Sequence, residues 1–311
     1  MTINKLLPGV KKNILLRDYT TFGIGGRARY FFVAKTKKDL IKAIGVAKKL
    51  KLPLFILGGG SNLLVSDKGF SGLVLKIENC KLKVEFCDSG TRRKKRTKFS
   101  SHIENCKVSA EAGVPLSKLV NLSVEKSLTG LEWATGIPGT VGGAVFGNAG
   151  AFGKSMADII KTVEVLNSEN FKIKIFKNKD CKFSYRKSIF KHKKNLVILS
   201  AELQFKKGNK KEIRKKTREY LNYKKETQPL NLPSAGSIFK NPQGFSAGWL
   251  IEKCDLKGKR TGNVKISEKH ANFIVNLGEG KAKDVKKLIN LIKKQVKKKF
   301  GIILEEEIRF L

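Results

Sequence analysis

Long hydrophobic runs are missing from this chain. No apolar stretch approaches the ~18–20 residues of a membrane span. The short "LLPGV" between Lys5 and the Lys11–Lys12 pair is too brief for a secretory signal. A soluble, cytoplasmic protein without a membrane span is expected. Cysteine is sparse: Cys80, Cys87, Cys106, Cys181 and Cys254 form an odd set with no C-x-x-C pair. That argues against a disulfide framework and against a structural zinc site, so no metal site is expected. Histidine is confined to His102, His192 and His270, and no G-x-S-x-G elbow presents a serine for nucleophilic attack. No Lys-Ser/Thr pair stands in Walker position, and no G-x-G-x-x-G opens a helix, so the common triphosphate and dinucleotide fingerprints are absent. Acidic residues are also few, 26 against 65 Lys plus Arg, for a net charge of +39. Such charge draws anions over long range. The lysines are spread from Lys5 to Lys299, however, and no helix-turn-helix, zinc finger or aromatic RNA-binding signature accompanies them. No specific nucleic-acid partner is expected. The densest run, "RRKKRTK" (Arg92–Lys98), lies in a polar excursion from Asp88 to Glu104. It reads as a solvated loop in preference to an anionic docking site.

What is present is an ordinary globular pattern. Its 311 residues suit about two domains of ~150 residues each. "ARYFFVA" has strand character. Leu40, Ile41, Ile44, Ala47 and Leu50 recur at helical spacing in residues 37–50, and "LPLFIL" is a short apolar strand. This β-α-β start differs from a dinucleotide fold because its glycine loop feeds another strand. "CKVSAEAG", "IIKTVEVLN", "KIKIFK" and "NLVILSAELQFKKG" read as strands, and "PLSKLVNLSVEKS" as a helix. A charged helix over 209–229 leads to the last third, where "SAGWLIEKCDL" and "KDVKKLINLIKKQVKKKF" are helical. In the latter, Val285, Leu288, Ile292 and Val296 make an apolar stripe that suits packing better than a membrane surface.

Two glycine-rich stretches carry the chemistry. In "LFILGGGSNLLV", Gly58, Gly59 and Gly60 can form an anion-binding nest, with Ser61 and Asn62 as added donors; a simple tight turn explains them equally well. In "GLEWATGIPGTVGGAVFGNAGAFG" (130–153), eight of the 24 residues are glycine. Glycine in a helix costs roughly 1 kcal/mol against alanine. Close approach of a large flat or phosphate-bearing ligand explains such a density better than packing alone.

"GGGSNLLV", "GIPGTVGGAVFGNAGAFG", "YRKSIFK", "GSIFKNP" and "LEEEIRF" occur in that order. Together they closely resemble the UDP-N-acetylenolpyruvoylglucosamine reductases of bacterial cell-wall synthesis, in their shorter form, from about Leu15 onward. The resemblance implies an α+β chain with a two-lobed FAD-binding region of the vanillyl-alcohol-oxidase type and a C-terminal α+β substrate-binding domain. The expected division is 1–77, 78–207 and 208–311. It implies noncovalent FAD, held by Gly58, Gly59, Gly60, Ser61 and Asn62 and by Gly136, Ile137, Pro138, Gly139, Thr140, Gly142 and Gly143. It further implies NADPH as hydride donor, a UDP-sugar enolpyruvate as substrate and UDP-N-acetylmuramate as product. The basic excursion, Asp255 and Asn263 depart from the family pattern. A different flavin oxidase acting on a sugar or hydroxy acid, and a nucleic-acid-binding protein, are the competing classes.

Three residues are expected to carry the reaction. Arg186, in "SYRKS", matches the family's carboxylate-binding arginine, and a guanidinium holds a carboxylate through paired hydrogen bonds. Glu307 matches the active-site glutamate because it directly precedes Ile308 and Arg309; Glu305 and Glu306 are the competing registers. Ser237 can be a nucleophile, an anion ligand or a proton donor on residue chemistry alone. The resemblance favours the donor. Tyr185, Lys240 and Asn241 are the expected substrate-binding residues, and His270 is expected to be structural or ligand-lining.

Overall fold

The computed structural model describes residues 2–86 and 105–311, so the Asp88–Glu104 excursion and Cys87 lie outside the described residues. The chain forms two compact units. One comprises Met1–Ala34, Lys42–Lys76 and Tyr223–Leu311; the other comprises Lys35–Ile41 and Ile77–Asn222.

The first unit contains a four-stranded sheet in the order Lys11–Leu15, Arg27–Ala34, Phe70–Ile77, Leu54–Leu57. Arg27–Ala34 buries Ala28, Phe31 and Ala34, and Leu54–Leu57 runs parallel to Phe70–Ile77. The helix read over 37–50 is Lys37–Lys49; its part from Lys42 onward belongs to this unit and buries Ala43, Ile44 and Ala47. The Gly58–Asn62 loop does feed a strand, the two-residue Leu63–Leu64, which pairs in parallel with Arg309–Phe310.

The rest of this unit is a second sheet, in the order Ser234–Ser237, Phe273–Asn276, Val264–Ile266, Arg260–Thr261. Its strands have two to four residues each and escaped the sequence reading. Helix Ala282–Phe300 buries Val285, Leu288, Ile292 and Val296, the stripe read from the sequence. Asp67 accepts from the N–H groups of Ala282 and Lys283 at 2.7 and 3.0 Å, satisfying donors that a helix start leaves open. Gly301, at φ +70°, ends the helix. The expected helix in "SAGWLIEKCDL" is only Ala247–Glu252, and Asp255 has already turned to φ +56°.

The second unit is built on an antiparallel sheet in the order Ile173–Lys177, Ile160–Asn167, Leu196–Lys207, Asn105–Glu111, Leu82–Phe86, with Leu128–Thr129 also on the long central strand. Alternation on that central strand buries Val197, Leu199, Ala201, Leu203 and Phe205. Helix Leu116–Glu125 buries Leu116, Leu119 and Val120. The glycine-rich segment contains a helix, Val141–Gly147, that propensity argues against. Among the described residues no helix is long and apolar enough to cross a membrane.

Candidate active site

Ser237 ends a short strand interrupted by a bulge. Ser234 pairs with Val275 and Ser237 with Phe273, so the Ser237 side spends one residue more than its partner. Gly236 absorbs the excess at φ +74°, where an added Cβ would meet nothing within 4 Å. The backbone conformation, not lack of room, calls for glycine here, and such a bulge re-aims the following side chain.

Beyond Ser237 the chain is gripped from both sides. Ile238 N–H donates to the Asn272 carbonyl at 2.9 Å, and Glu307 N–H donates to the Ile238 carbonyl at 2.8 Å. Phe239 bridges to Glu306, and Lys240 N–H donates to the Glu305 carbonyl at 2.9 Å. Glu307 is therefore tied by its backbone to Ile238, the residue directly after Ser237. The three glutamates also separate. Glu305 pairs with Lys240, and Glu306 pairs with Lys293 at 2.9 Å. Glu307 is the one whose main chain links the Ser237 segment to the glycine loop, since the Glu307 carbonyl accepts from Asn62 Nδ2 at 3.0 Å. Asn241 Oδ1 accepts from Ala247 N–H at 3.0 Å, which ties it to the start of the Ala247–Glu252 helix. His270 is neutral at its Nδ1, which accepts from Asn272 N–H at 3.2 Å; burial pushes its pKa below the usual histidine value.

In the Gly58–Asn62 loop the carbonyl of Gly58 accepts from Lys76 Nζ at 2.6 Å. Gly60 is buried, and a Cβ there would stand 2.1 Å from the Tyr19 carbonyl oxygen. Close backbone packing and a φ of +66° both call for glycine there. Gly58, Gly59 and Ser61 are half-buried and Asn62 is exposed.

In the second unit, Gly136 and Pro138 are exposed, Ile137 N–H donates to Ala134, and the Gly139 carbonyl accepts from Leu116 N–H. Thr140 caps the Val141–Gly147 helix by accepting from Gly143 N–H at 3.3 Å. Val141 and Gly142 donate their N–H groups to the carbonyls of Val114 and Ala112, each at 2.8 Å. A Cβ on Gly142 would lie 2.7 Å from that of Ala112, so packing explains Gly142. Gly143 and Gly147 differ: a Cβ would meet only Thr140 Oγ1 at 3.6 Å in the first case and nothing within 4 Å in the second. Neither backbone angle nor chain packing calls for glycine at these helical positions. A flat or phosphate-bearing ligand against this surface would supply the missing reason, and FAD would fit that requirement.

Tyr185 and Arg186 form the corner of a turn closed by reciprocal Ser184 and Lys187 backbone hydrogen bonds at 3.2 and 3.0 Å. Arg186 holds φ +55°, a conformation that costs a non-glycine residue on the order of 1–2 kcal/mol. Its guanidinium lies 5.3 Å from the centre of the exposed Tyr185 ring. The turn is fastened to the glycine-rich segment twice. Asn148 Nδ2 donates to the Ser184 carbonyl at 2.9 Å, and Ser188 Oγ donates to the Phe146 carbonyl at 2.6 Å.

Asn148, Ser188, Asn272 and the anchoring use of Asn62 were missed by the sequence reading. Asparagine beside glycine in "FGNAG" was the only available signal for Asn148, and it also marks ordinary turns; "HANF" offered none for Asn272.

A family model described as FAD binding domain matches residues 28–170, and one described as UDP-N-acetylenolpyruvoylglucosamine reductase, C-terminal domain, matches residues 228–311. The UDP-N-acetylenolpyruvoylglucosamine reductase of Caldanaerobacter subterraneus subsp. tengcongensis is 43% identical over 296 residues, covering 95% of this chain and 91% of that protein. The reductase of Synechococcus sp. is 37% identical over 311 residues, covering 100% and 94%. The crystal structure of UDP-N-acetylenolpyruvylglucosamine reductase from Thermus caldophilus aligns with a TM-score of 0.77 at 35% identity, over 97% of this chain and 98% of that one. The family models, the relatives and the fold thus define an FAD-dependent oxidoreductase of α+β class, as expected. More narrowly, the chain belongs to the UDP-N-acetylenolpyruvoylglucosamine reductase family, which acts in peptidoglycan precursor synthesis, and the resemblance carried by the five motifs is borne out.

Proposed function

We propose that the protein uses NADPH to reduce the enolpyruvyl ether of UDP-N-acetylglucosamine to UDP-N-acetylmuramate, with Ser237 delivering the proton. The names of the relatives support the substrate, and the backbone link from Glu307 N–H to Ile238, next to Ser237, carries the assignment of the donor. FAD, when bound, supplies the two-electron chemistry between nicotinamide and the carbon–carbon double bond. The Gly58–Asn62 loop and the Gly136–Gly143 segment are the residues that would hold it.

The remaining work falls to side chains. Hydride addition to the methylene carbon leaves negative charge on the neighbouring carbon and its carboxylate. Arg186 binds that carboxylate and stabilises the charge as it builds. Its strained backbone angle fits a functional position, where such costs are retained. Ser237 Oγ donates its proton to the carbanionic carbon. Glu307, tied to the Ser237 segment through the Ile238 carbonyl, helps orient the reacting group. A serine hydroxyl is a weak acid, so it acts only when aimed at the carbon that receives the proton, and the Gly236 bulge provides the aim. Lys240, Asn241 and Tyr185 remain the proposed substrate contacts, and the division at 77 and 207 remains the proposed domain boundary.

The test separates two half-reactions by stopped-flow flavin absorbance. Ser237→Ala should be bleached by NADPH at a normal rate. Its reoxidation by saturating enolpyruvyl substrate should slow by roughly 10²–10⁴-fold, the range for a lost general acid. Wild-type reoxidation at saturation would remove Ser237 from proton delivery.

A further inference from the structure

Two residues next to Ser237 are deeply buried: Ile238 is 0% and Phe239 1% exposed. Their four backbone polar groups must find partners inside the protein, because no water reaches them. Regular pairing ends at Ser237 opposite Phe273, and the partner chain then turns away, with Phe273 N–H donating to the His270 carbonyl. One residue supplies most of what the ladder no longer provides. Asn272 accepts from Ile238 N–H with its own carbonyl at 2.9 Å. Its side chain accepts from Phe239 N–H through Oδ1 at 2.9 Å and donates to the Phe239 carbonyl through Nδ2 at 2.8 Å. The amide thus imitates a peptide group in a missing strand. Glu307 N–H takes the last of the four, the Ile238 carbonyl. Asn272 is itself 3% exposed and fixed by the hydrogen bond from its N–H to His270 Nδ1.

We infer that Asn272 is a positioning residue for the reduction, holding Ser237 and Glu307 at their mutual spacing through the Ile238–Phe239 backbone. The inference rests on the reading of Ser237 as proton donor. Only an amide satisfies both Phe239 groups, since a carboxylate of the same shape sets an oxygen against the Phe239 carbonyl, and a shorter side chain reaches neither group well. A shift of the Ile238–Phe239 peptide carries Ser237 with it on one side and Glu307 on the other.

The experiment uses the holoenzyme. Asn272→Asp and Asn272→Ser are compared with Ser237→Ala and the unaltered protein in both half-reactions. For the Asn272 variants, bleaching by NADPH is expected within twofold of normal. Reoxidation by saturating enolpyruvyl substrate is expected to slow at least tenfold, with the substrate concentration at half-maximal rate changed less than threefold. A role confined to stability would lower flavin content and both half-reactions together, and that result overturns the inference, as does reoxidation within twofold of normal in both Asn272 variants when Ser237→Ala is slow. If Ser237→Ala itself reoxidises normally, the donor reading has failed, which is a separate outcome. Should Asn272→Asp not fold, Asn272→Ser carries the same comparison.

Discussion

Gly143→Ala puts two forces in opposition. Gly143 lies in the first turn of a seven-residue helix, where alanine is favoured over glycine by up to about 1 kcal/mol. The added methyl group meets only Thr140 Oγ1, at an ordinary 3.6 Å, so no clash offsets that gain. Stripped of FAD, the variant should therefore melt about 2–4 °C higher per kcal/mol gained, the scale for domains of this size. With FAD the sign should change. If the cofactor lies against this glycine, the methyl group occupies its space. A tenfold loss of affinity then removes about 1.4 kcal/mol of ligand-dependent stabilisation at saturating FAD. The assay is a thermal melt of stripped and FAD-saturated protein, with the dissociation constant taken from flavin fluorescence quenching. Gly142→Ala is the control, because its Cβ would press to 2.7 Å on Ala112 and should destabilise both forms. An unchanged FAD dissociation constant in Gly143→Ala would refute the explanation of why this helix carries an unneeded glycine.

Two further outcomes follow from charge and burial. Arg186→Ala should weaken binding of the enolpyruvyl substrate by roughly 1.5–3 kcal/mol, the worth of a charge-assisted hydrogen bond, in substrate titrations of the holoenzyme, while NADPH-driven bleaching persists. For His270, burial depresses the folded pKa below that of the unfolded chain, so the unfolded state takes up the proton first. Stability should be fully present above about pH 6.5 and fall as the pH drops through the folded value. Urea melts between pH 5 and 8 should show that decline, and His270→Asn, which has a side-chain acceptor but no titration, should flatten it.

Regular elements with a clear period were readable from the residues. The stripe Val285, Leu288, Ile292, Val296 reached the core as expected, and "ARYFFVA" lies in the strand Arg27–Ala34 as read. The sheet that carries Ser237 was not readable, because its strands are too short for a period to develop and one is bulged. Helix Val141–Gly147 was obscured for a different reason. Its glycines at 142 and 143 argue against helix locally, and the first is required only by the carbonyl and methyl group of Ala112, thirty residues earlier. The candidate residues were located by ordered motifs. What holds them was hidden, since Asn62, Asn148 and Asn272 act through backbone groups distant in sequence.

The parallel pairing of Arg309–Phe310 with Leu63–Leu64 has a consequence for how the chain matures during synthesis. Asn62 meets Glu307 across 245 positions of sequence. Ser66 N–H donates to the Leu311 carbonyl at 2.6 Å, and Leu311 N–H to Leu64 at 3.0 Å. On a ribosome moving at ~5–20 residues per second, the Gly58–Asn62 loop therefore waits roughly 12–50 s for the segment that fastens it. Through that interval the early sheet can form from neighbours already made, but Leu63–Leu64 stands as an open edge. Nascent chains halted before residue 305 should be caught by proteases at 58–66, and release of the remaining residues should close that window.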